Sequence, residues 1–400
     1  MRDNLVQKWS EVKGKVAISD IEDKDIKSSL AQLLENQETQ TLGNELNEAT
    51  FSSSAPTSQE TGQFSPIALA LVRRTFPDLF ANKVVPVQAM SGPVGLAYAL
   101  RMYYKGTTNE AGFNEVPKYS GFTGSISGTS GTADSGTGVE TATGEGWQLP
   151  PTSPATMPEL TLALSNVAIA AKSRKLAASW SLEAAQDISA MHQIDIEREM
   201  VNVLQYEVMA ELDRELIAKL KATVVATAKG GEAVTTVDIT GTDGRWAQEK
   251  MSFVANTIIK KANDIATSTR RAAGNFVIVS PRVATALQAA KGWFTANEAT
   301  VNATSTLTQV GSLNGTITVY RDSYATTDYA LVGYKGPGQS DGGIIYSPYI
   351  TGLVSKATAE EDFSPRIGVM TRYALTDSLL GAGRYYRYIT FSNLSTVIGA

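Results

Sequence analysis

The spacing of apolar side chains predicts two amphipathic helices within residues 1–40. Their outer faces are heavily charged, which is typical of helices that pack on one side only. The pattern fits a small helical cap on the main domain as well as a separable leader. The two apolar stripes consist of Leu5, Trp9, Val12 and Val16, and then of Ile26, Leu30 and Leu33.

A polar segment and a long two-stranded excursion follow. Residues 49–63, "ATFSSSAPTSQETGQ", lack any period and predict an extended arm or linker. A short helix is expected near Pro66, and strands are expected in "KVVPVQAM" and "VGLAYALRMYY". The Gly-, Ser- and Thr-rich residues 106–158 lead to the alternating strand "ELTLALSNVAIAAKS". Such an arm is marginal alone in water and is normally stabilised by lying on another surface.

The longest helical pattern covers about residues 179–220. Its apolar positions keep helical spacing, and Asp195 is placed to cap a restart of the helix after "HQI". A helix of about 25 residues after that cap spans on the order of 37 Å. Residues 245–350 alternate helices and strands and predict a compact α/β lobe that includes "NFVIVSP", "YALVGYKG" and "GGIIYSPYI". Two last strands, "PRIGVMTRYALTDS" and "RYYRYITFSN", are expected to return to the sheet near the long helix.

Composition excludes several kinds of chemistry. The chain has no cysteine and one histidine, His192, which excludes thiolate sites and leaves little basis for zinc sites or catalytic triads. The net charge of −5 gives no electrostatic case for wrapping nucleic acid. No apolar run approaches the roughly 20 residues of a membrane-spanning helix. We therefore expect a soluble protein made in the cytosol, with no catalytic residue, no cofactor, no metal and no membrane partner.

The segment "GYKGPGQSDGGIIYSPY", residues 333–349, resembles a phosphate-binding loop at first sight. A P-loop needs GxxxxGK[ST] followed at once by a helix, whereas here Lys335 precedes Gly336 and a strand follows. We therefore predict a strand connector with glycines at positive φ, in which Lys335 is a surface or interface charge. His192, with Asp187 and Asp195 nearby in sequence, is likewise predicted to be a structural or surface residue.

One short motif is unusual in its distribution. A Leu or Ile two residues before a Glu occurs only at Leu33–Glu35 and at Leu46–Glu48. Glu48 is followed by the small Ala49 and a flexible sequence, which suits a bond that enters a protease cleft, whereas Glu35 falls inside a predicted helix. Residues 1–48 carry six basic and ten acidic residues, a net charge of −4, so the remainder of the chain is nearly neutral at −1.

Several segments together resemble the major capsid proteins of T4-like tailed bacteriophages, which have the HK97-type fold. They extend in the same order from about residue 65 to 400. The segments are "LVRRTFPDLFANKVVPVQAMSGPVGLAYALRMYY", "SWSLEAAQDISAMHQIDIEREM", "EVMAELDREL", "RWAQE", "GNFVIVSP", "DYALVGYKGPGQSDGGIIYSPYI" and "FSPRIGVMTRYAL".

The resemblance implies an α+β, HK97-like capsid subunit without an active site. Its expected parts are an acidic helical leader (1–48), an N-terminal arm (49–80), an extended two-stranded loop with a Gly/Ser/Thr-rich tip (81–165), a peripheral domain with a long spine helix (166–244), an α/β axial domain (245–350), and C-terminal strands that return to the peripheral domain (351–400). The family's maturation protease cuts after a Leu/Ile-x-Glu motif, which maps onto Leu46, Glu48 and Ala49.

The implied function is a major capsid protein that assembles into hexamers and pentamers and forms an icosahedral head around the phage genome. Expected partners are copies of itself, vertex copies or a paralogue, a scaffold core, a prohead protease, portal and decoration proteins, and packaged DNA only non-specifically. The protein is expected in the virion capsid, assembled in the host cytoplasm. Two alternatives stay open at this point: a soluble α/β enzyme, and a non-viral compartment shell of the same fold.

Overall fold

The part of the chain that the structure describes forms three β-sheets, three long helices and several short ones. The computed structural model describes residues 2–11, 23–48, 80–104, 141–145, 160–193, 195–226, 234–239, 246–269, 271–290, 294–296, 307–338, 341–359, 364–379 and 381–394. The expected α+β class is confirmed by this mixture of helices and largely antiparallel strands. None of the described helices is long and apolar enough to cross a membrane.

The elements follow the predicted order along the chain. The helices are α1 Arg2–Glu11, α2 Lys24–Glu48, α3 Ala81–Val84, α4 Thr141–Glu145, α5 Leu182–His192, α6 Ile196–Ala226, α7 Ala247–Thr269 and α8 Pro281–Ala289, with a 3₁₀ turn at Ala382–Arg384. The strands are β1 Val94–Tyr104, β2 Leu160–Ala170, β3 Lys172–Ser179, β4 Val234–Asp238, β5 Phe276–Val279, β6 Phe294–Ala296, β7 Leu307–Leu313, β8 Ile317–Asp322, β9 Tyr329–Gly333, β10 Ile344–Thr358, β11 Pro365–Asp377 and β12 Tyr386–Ser392.

The largest sheet has seven strands in the order β4-β12-β9-β5-β8-β7-β6. The β12–β4 and β5–β8 pairs are parallel and the other pairs are antiparallel. The helix α7 packs against β9 and β12, and α8 packs against β8. Strands β5 and β9 are buried at every position, which explains why "FVIV" and "YALVG" are continuous apolar runs without alternation.

A second sheet carries the long helix α6. It contains β10, β11 and β3 in that order, all antiparallel, and α6 lies against β11 and β3. The predicted break before this helix is confirmed: Gln193 is left-handed with φ 55°, and Asp195 accepts a hydrogen bond from the backbone N–H of Glu197 at 3.1 Å. The 31 residues of α6 extend over roughly 46 Å, further than predicted.

Three strand predictions need correction. The strand "GGIIYSPYI" belongs to β10 and pairs with β11, not with the α/β lobe that precedes it. The strand β12 contacts the long helix as expected, but it lies between β4 and β9 in the seven-stranded sheet and not in the sheet of β11. The segment "KVVPVQAM" forms the end of α3 and an irregular stretch that bonds to β10. Local periodicity indicates a strand but does not select its partner, which tertiary packing decides.

Candidate interaction surfaces

The β1–β2 hairpin has one exposed apolar face. The antiparallel register pairs Val94 with Ala170 and continues to Tyr104 opposite Leu160, so even-numbered residues of both strands share a face. Seven large apolar side chains on this face are exposed, and we call them the hairpin face: Val94, Leu96, Tyr98, Met102, Leu160, Leu162 and Leu164. On the opposite face, Ala97 and Ile169 are buried in a small core with Ile350. The base of the hairpin is therefore fixed while one side of it lacks a cover within the described residues.

The hairpin face has the apolar character that is typical of contact surfaces. Soluble monomers rarely expose contiguous apolar patches larger than a few hundred Å². Leu162 and Leu164 are 60% and 65% exposed, although water around such side chains is unfavourable. A two-stranded ribbon also has no core of its own and gains stability when it lies on another surface. The hairpin face is thus the strongest candidate contact surface in the described part of the chain.

The two predicted N-terminal helices pack onto the rest of the subunit, which we call the body. Helix α2 lies between α1 and strand β10 and contacts both. Successive residues of an α-helix are rotated by roughly 100° about its axis, so the buried side chains of α2 take up more than half of its circumference. The helix is therefore covered from two sides. The buried apolar residues of α2 belong to the same continuous core as Phe80, Val84 and Val85. They are Leu30, Ala31, Leu33 and Leu34, joined by Trp9 of α1.

Polar contacts fix the position of this helical pair. Lys8 forms ion pairs with Glu35 at 2.7 Å and Glu38 at 2.6 Å, and the indole N–H of Trp9 donates to Glu35 at 3.2 Å. The buried Asn36 donates through Nδ2 to two backbone carbonyl oxygens of the body, those of Met90 at 2.8 Å and Tyr349 at 3.0 Å. Sequence periodicity did not indicate Asn36, because its partners lie 54 and 313 residues away.

Lys335, predicted to be a surface or interface charge, is half-buried within the subunit, so the first of these two alternatives needs correction. Its Nζ donates to the backbone oxygen of Asn82, and its backbone N–H donates to Oδ1 of Asn275 at 3.0 Å. Burial lowers the pKa of Lys335, and the nearby carboxylates Asp23 and Asp25 oppose that shift. The lysine therefore connects the loop after β9 to the segment before β1, beside the start of helix α2.

The glycines of the loop serve close approach, not positive φ as predicted. The described glycines with positive φ are Gly315 and Gly381, outside this loop. A Cβ on Gly333 would lie 2.2 Å from Cζ of Phe276, and one on Gly343 would lie 2.4 Å from Cε2 of Tyr386. Backbone and aromatic rings therefore occupy the space that larger residues would need. The prediction of a strand connector is confirmed, since the loop joins β9 to β10.

A charged cluster joins the long helix α6 to the sheet of β3 and β11. Arg174 contacts Glu211 at 2.7 Å and Glu215 at 2.6 Å, and it donates to the hydroxyl of Tyr373 at 2.6 Å. The Tyr373 hydroxyl donates to Glu215. Burial would raise the pKa of Glu215, but hydrogen bonds from Tyr373 and Arg174 outweigh it and hold the pKa below its usual value. Burial and the hydrogen bond to Glu215 raise the pKa of Tyr373 to about 12.

A second contact joins α6 to the seven-stranded sheet. The Tyr329 hydroxyl donates to the buried carboxylate of Asp322 at 2.6 Å, and Asp322 also accepts from the backbone N–H of Tyr324. Nζ of Lys221 lies 3.6 Å from the centre of the Tyr329 ring. Burial lowers the pKa of Lys221, and Asp322 opposes the shift. One helix thus contacts both larger sheets through charged groups, an arrangement suited to holding their relative position.

The structure locates the other predicted residues as follows. Leu46 and Glu48 lie in the last turn of α2, so this helix continues beyond the predicted end near residue 40. Ala49 lies outside the described residues, as do most of the predicted arm and the tip of the excursion. His192 is exposed at the end of α5, as expected of a surface residue.

The family model and the related sequences agree on one kind of protein. A family model described as "Major capsid protein Gp23" matches residues 61–390. The chain is similar to the major capsid protein of Enterobacteria phage T4, with 29% identity over 82% of this chain and 78% of the relative. It is also similar to the major capsid protein of Salmonella phage ViI, with 32% identity over 78% and 77%. A solved chain from the capsid of Myoviridae phage XM1 aligns with a TM-score of 0.44 and 11% identity over 87% of this chain and 98% of its own.

The class is thus that of capsid subunits that form the head shell of tailed phages. More specifically, the chain belongs to the family of the major capsid protein Gp23. The predicted capsid-protein family, shell function and location in the virion are confirmed by this membership. Residues 1–60, which include the docked helices, lie before the matched range.

Proposed function

We propose that copies of this chain assemble into hexamers and pentamers in which the hairpin face packs on a neighbouring subunit. The exposed apolar face is the observation that supports this proposal. Contacts between identical subunits in a closed shell use complementary patches of one chain, and they bury surface that is unfavourable in a monomer. Vertices are filled by this chain or by a paralogue. The proposed role is structural, with no catalytic residue and no cofactor.

The proposal also assigns each part of the subunit to a domain of the capsid protein. We assign residues 81–165 to the extended loop, 166–244 to a peripheral domain and 245–350 to an axial domain that faces the capsomer centre. The corrected strand pairings add β4 and β12 to the axial sheet and β10 to the peripheral sheet. Scaffold, portal and decoration proteins are proposed partners, and packaged DNA is contacted only non-specifically.

Electron microscopy of the expressed chain tests the shell proposal. Negatively stained preparations with and without residues 1–48 are expected to contain sheets, tubes or polyheads in at least one of the two forms. A stable monomer under all assembly conditions would contradict it. Replacement of His192 by Gln is expected to leave particle formation unchanged, whereas an essential histidine would favour the alternative of an enzyme.

We further propose that a prohead protease cuts between Glu48 and Ala49. The Leu46-x-Glu48 motif ends a helix, where fraying opens the backbone. The related motif at Glu35 is protected, because Leu33 and Leu34 are buried and Glu35 is bonded to Lys8 and Trp9. Local opening at a helix end needs far less free energy than unfolding a packed turn.

Glu48→Gln is expected to block processing, while Glu35→Gln leaves it unchanged. The amide keeps the size of each side chain and removes the charge that the protease would recognise. Intact-mass measurement of particles from infected cells is expected to show chains starting at Ala49 for the unaltered sequence and for Glu35→Gln, and at Met1 for Glu48→Gln. Mature chains that start at Asn36 would show that the buried motif is the processing site.

A further inference from the structure

We propose that the body of this protein binds the leader through non-covalent contacts alone, so that the leader stays bound after the Glu48–Ala49 bond is cut. The leader is the predicted segment 1–48, of which the structure describes α1 and α2. Its site on the body is formed by strand β10, the backbone oxygens of Met90 and Tyr349, and Lys335. The proposal concerns what holds the leader, whichever protease makes the cut.

The position of the contacts supports retention. The described polar contacts of the leader with the body lie between Asp23 and Asn36. Glu48 lies 12 residues further along the helix, roughly 18 Å from Asn36 at 1.5 Å per residue. Hydrolysis of the next bond therefore changes none of these contacts. It removes the covalent connection and leaves the apolar and polar contacts in place.

The chemistry of the contacts also resembles that of a tight intermolecular interface. Leu30 and Leu34 are completely buried at the centre, and Trp9 is nearly so. Around them lie charged and polar groups with defined partners, among them Asn36 on two carbonyl oxygens. A buried apolar centre with a polar margin is the usual form of a stable protein contact. The leader is also acidic, whereas the body carries Lys335 next to Asp23 and Asp25.

Retention has a consequence for the order of events in a shell. Cutting alone would leave the body in its leader-bound form. Departure of the leader would need a second event, such as further cleavage within it or a movement that separates the carbonyl groups of Met90 and Tyr349. Those two residues lie at the base of the β1–β2 hairpin and in β10, respectively. The leader thus bridges two elements that a rearranging subunit would move apart.

The test uses the full chain with a site for a sequence-specific protease inserted between Glu48 and Ala49. After complete cutting, the subunit-sized fraction is analysed by gel filtration, which avoids leader trapped inside particles. The leader is expected to elute with the body. Asn36→Asp keeps the shape but replaces the donor by a carboxylate facing two carbonyl oxygens, so dissociation is expected to be faster by about tenfold or more.

Matched variants keep the result interpretable. Asn263→Asp makes the same change at an exposed position of α7 and is expected to leave the leader bound. Leu30→Ala is expected to release the leader, and Leu182→Ala, at a half-exposed position of α5, is not. Circular dichroism before cutting confirms that each variant is folded. Immediate separation of the leader in the unaltered sequence would overturn the proposal, even if the chain assembles and is processed at Glu48.

Discussion

Replacing Leu162 and Leu164 with aspartate is expected to abolish shell assembly while the subunit stays folded. Both side chains are more than half exposed in the subunit, so their replacement is expected to change the free energy of unfolding by no more than about 0.5 kcal/mol each. In an assembled shell the same positions would lie against a neighbour. Each buried, unpaired carboxylate would then be unfavourable by several kcal/mol at every contact.

The loss of assembly is expected to be large, because every subunit would make this contact. A change of 1.4 kcal/mol in the binding free energy alters an association constant about tenfold, and two buried charges would together cost several times that free energy at each contact. The concentration needed for assembly is therefore expected to rise more than about a hundredfold. Light scattering during assembly and microscopy of the products measure this. Thermal unfolding of the subunit, within a few degrees of the unaltered chain, shows that the fold is intact.

The control uses the other face of the same strand. Thr161→Asp with Ser165→Asp introduces two charges at odd-numbered positions, which the register places opposite the hairpin face. This pair is expected to reduce assembly less than the pair at Leu162 and Leu164. Equal and mild effects of both pairs would mean that the hairpin face is not a subunit contact, and the proposed packing would have to be abandoned.

The sequence predicted elements well wherever a local pattern decides the structure. The helical spacing of apolar positions within residues 179–220 indicated α6, and Asp195 indicated its start, because capping and helical periodicity act over a few residues. The alternation in β1 and β2, on either side of a Gly- and Ser-rich stretch, indicated the hairpin. The large apolar residues of this alternation lie on the exposed hairpin face, which the alternation alone does not indicate.

The parts that sequence could not predict depend on distant contacts. Lys335 was predicted to be a surface or interface charge, because nothing near it in sequence shows that its ammonium group donates to the backbone oxygen of Asn82. Arg174, Glu215 and Tyr373 come from three separate elements, and no short motif links them. The family resemblance identified the protein but not these contacts. They depend on how sheets and helices pack, and many different pairs of residues achieve the same packing.

The glycines of residues 333–349 have a different role from the one that their sequence suggested. Their number suggested a turn with positive φ, whereas Gly333 lies within a strand between Phe276 of β5 and Tyr386 of β12. The Phe276 ring lies over its backbone. An aromatic ring that covers a strand glycine supplies packing that the glycine itself cannot provide. Glycine is therefore needed at position 333 because of its missing side chain.

Gly333→Ala is accordingly expected to destabilise the subunit strongly. The new Cβ would lie 2.2 Å from Cζ of Phe276 and 2.8 Å from both Cε atoms, in the most buried part of the seven-stranded sheet. Overpacking of this kind costs about 1–3 kcal/mol and occasionally more, which exceeds the gain of about 0.4–1 kcal/mol from a less flexible unfolded chain. Urea unfolding of the subunit is expected to show an earlier midpoint and less soluble protein.

Gly368→Ala provides the matched comparison, and a double variant locates the cause. At Gly368, in β11, the nearest atoms to a new Cβ are 3.8 Å away, so alanine is expected to be neutral or slightly stabilising. If the clash with the ring is responsible, Phe276→Leu relieves it, and Gly333→Ala costs less in that background than alone. Equal costs in both backgrounds would place the strain in the backbone of β9 instead. The two outcomes separate a requirement for space from a requirement for a particular φ, ψ pair.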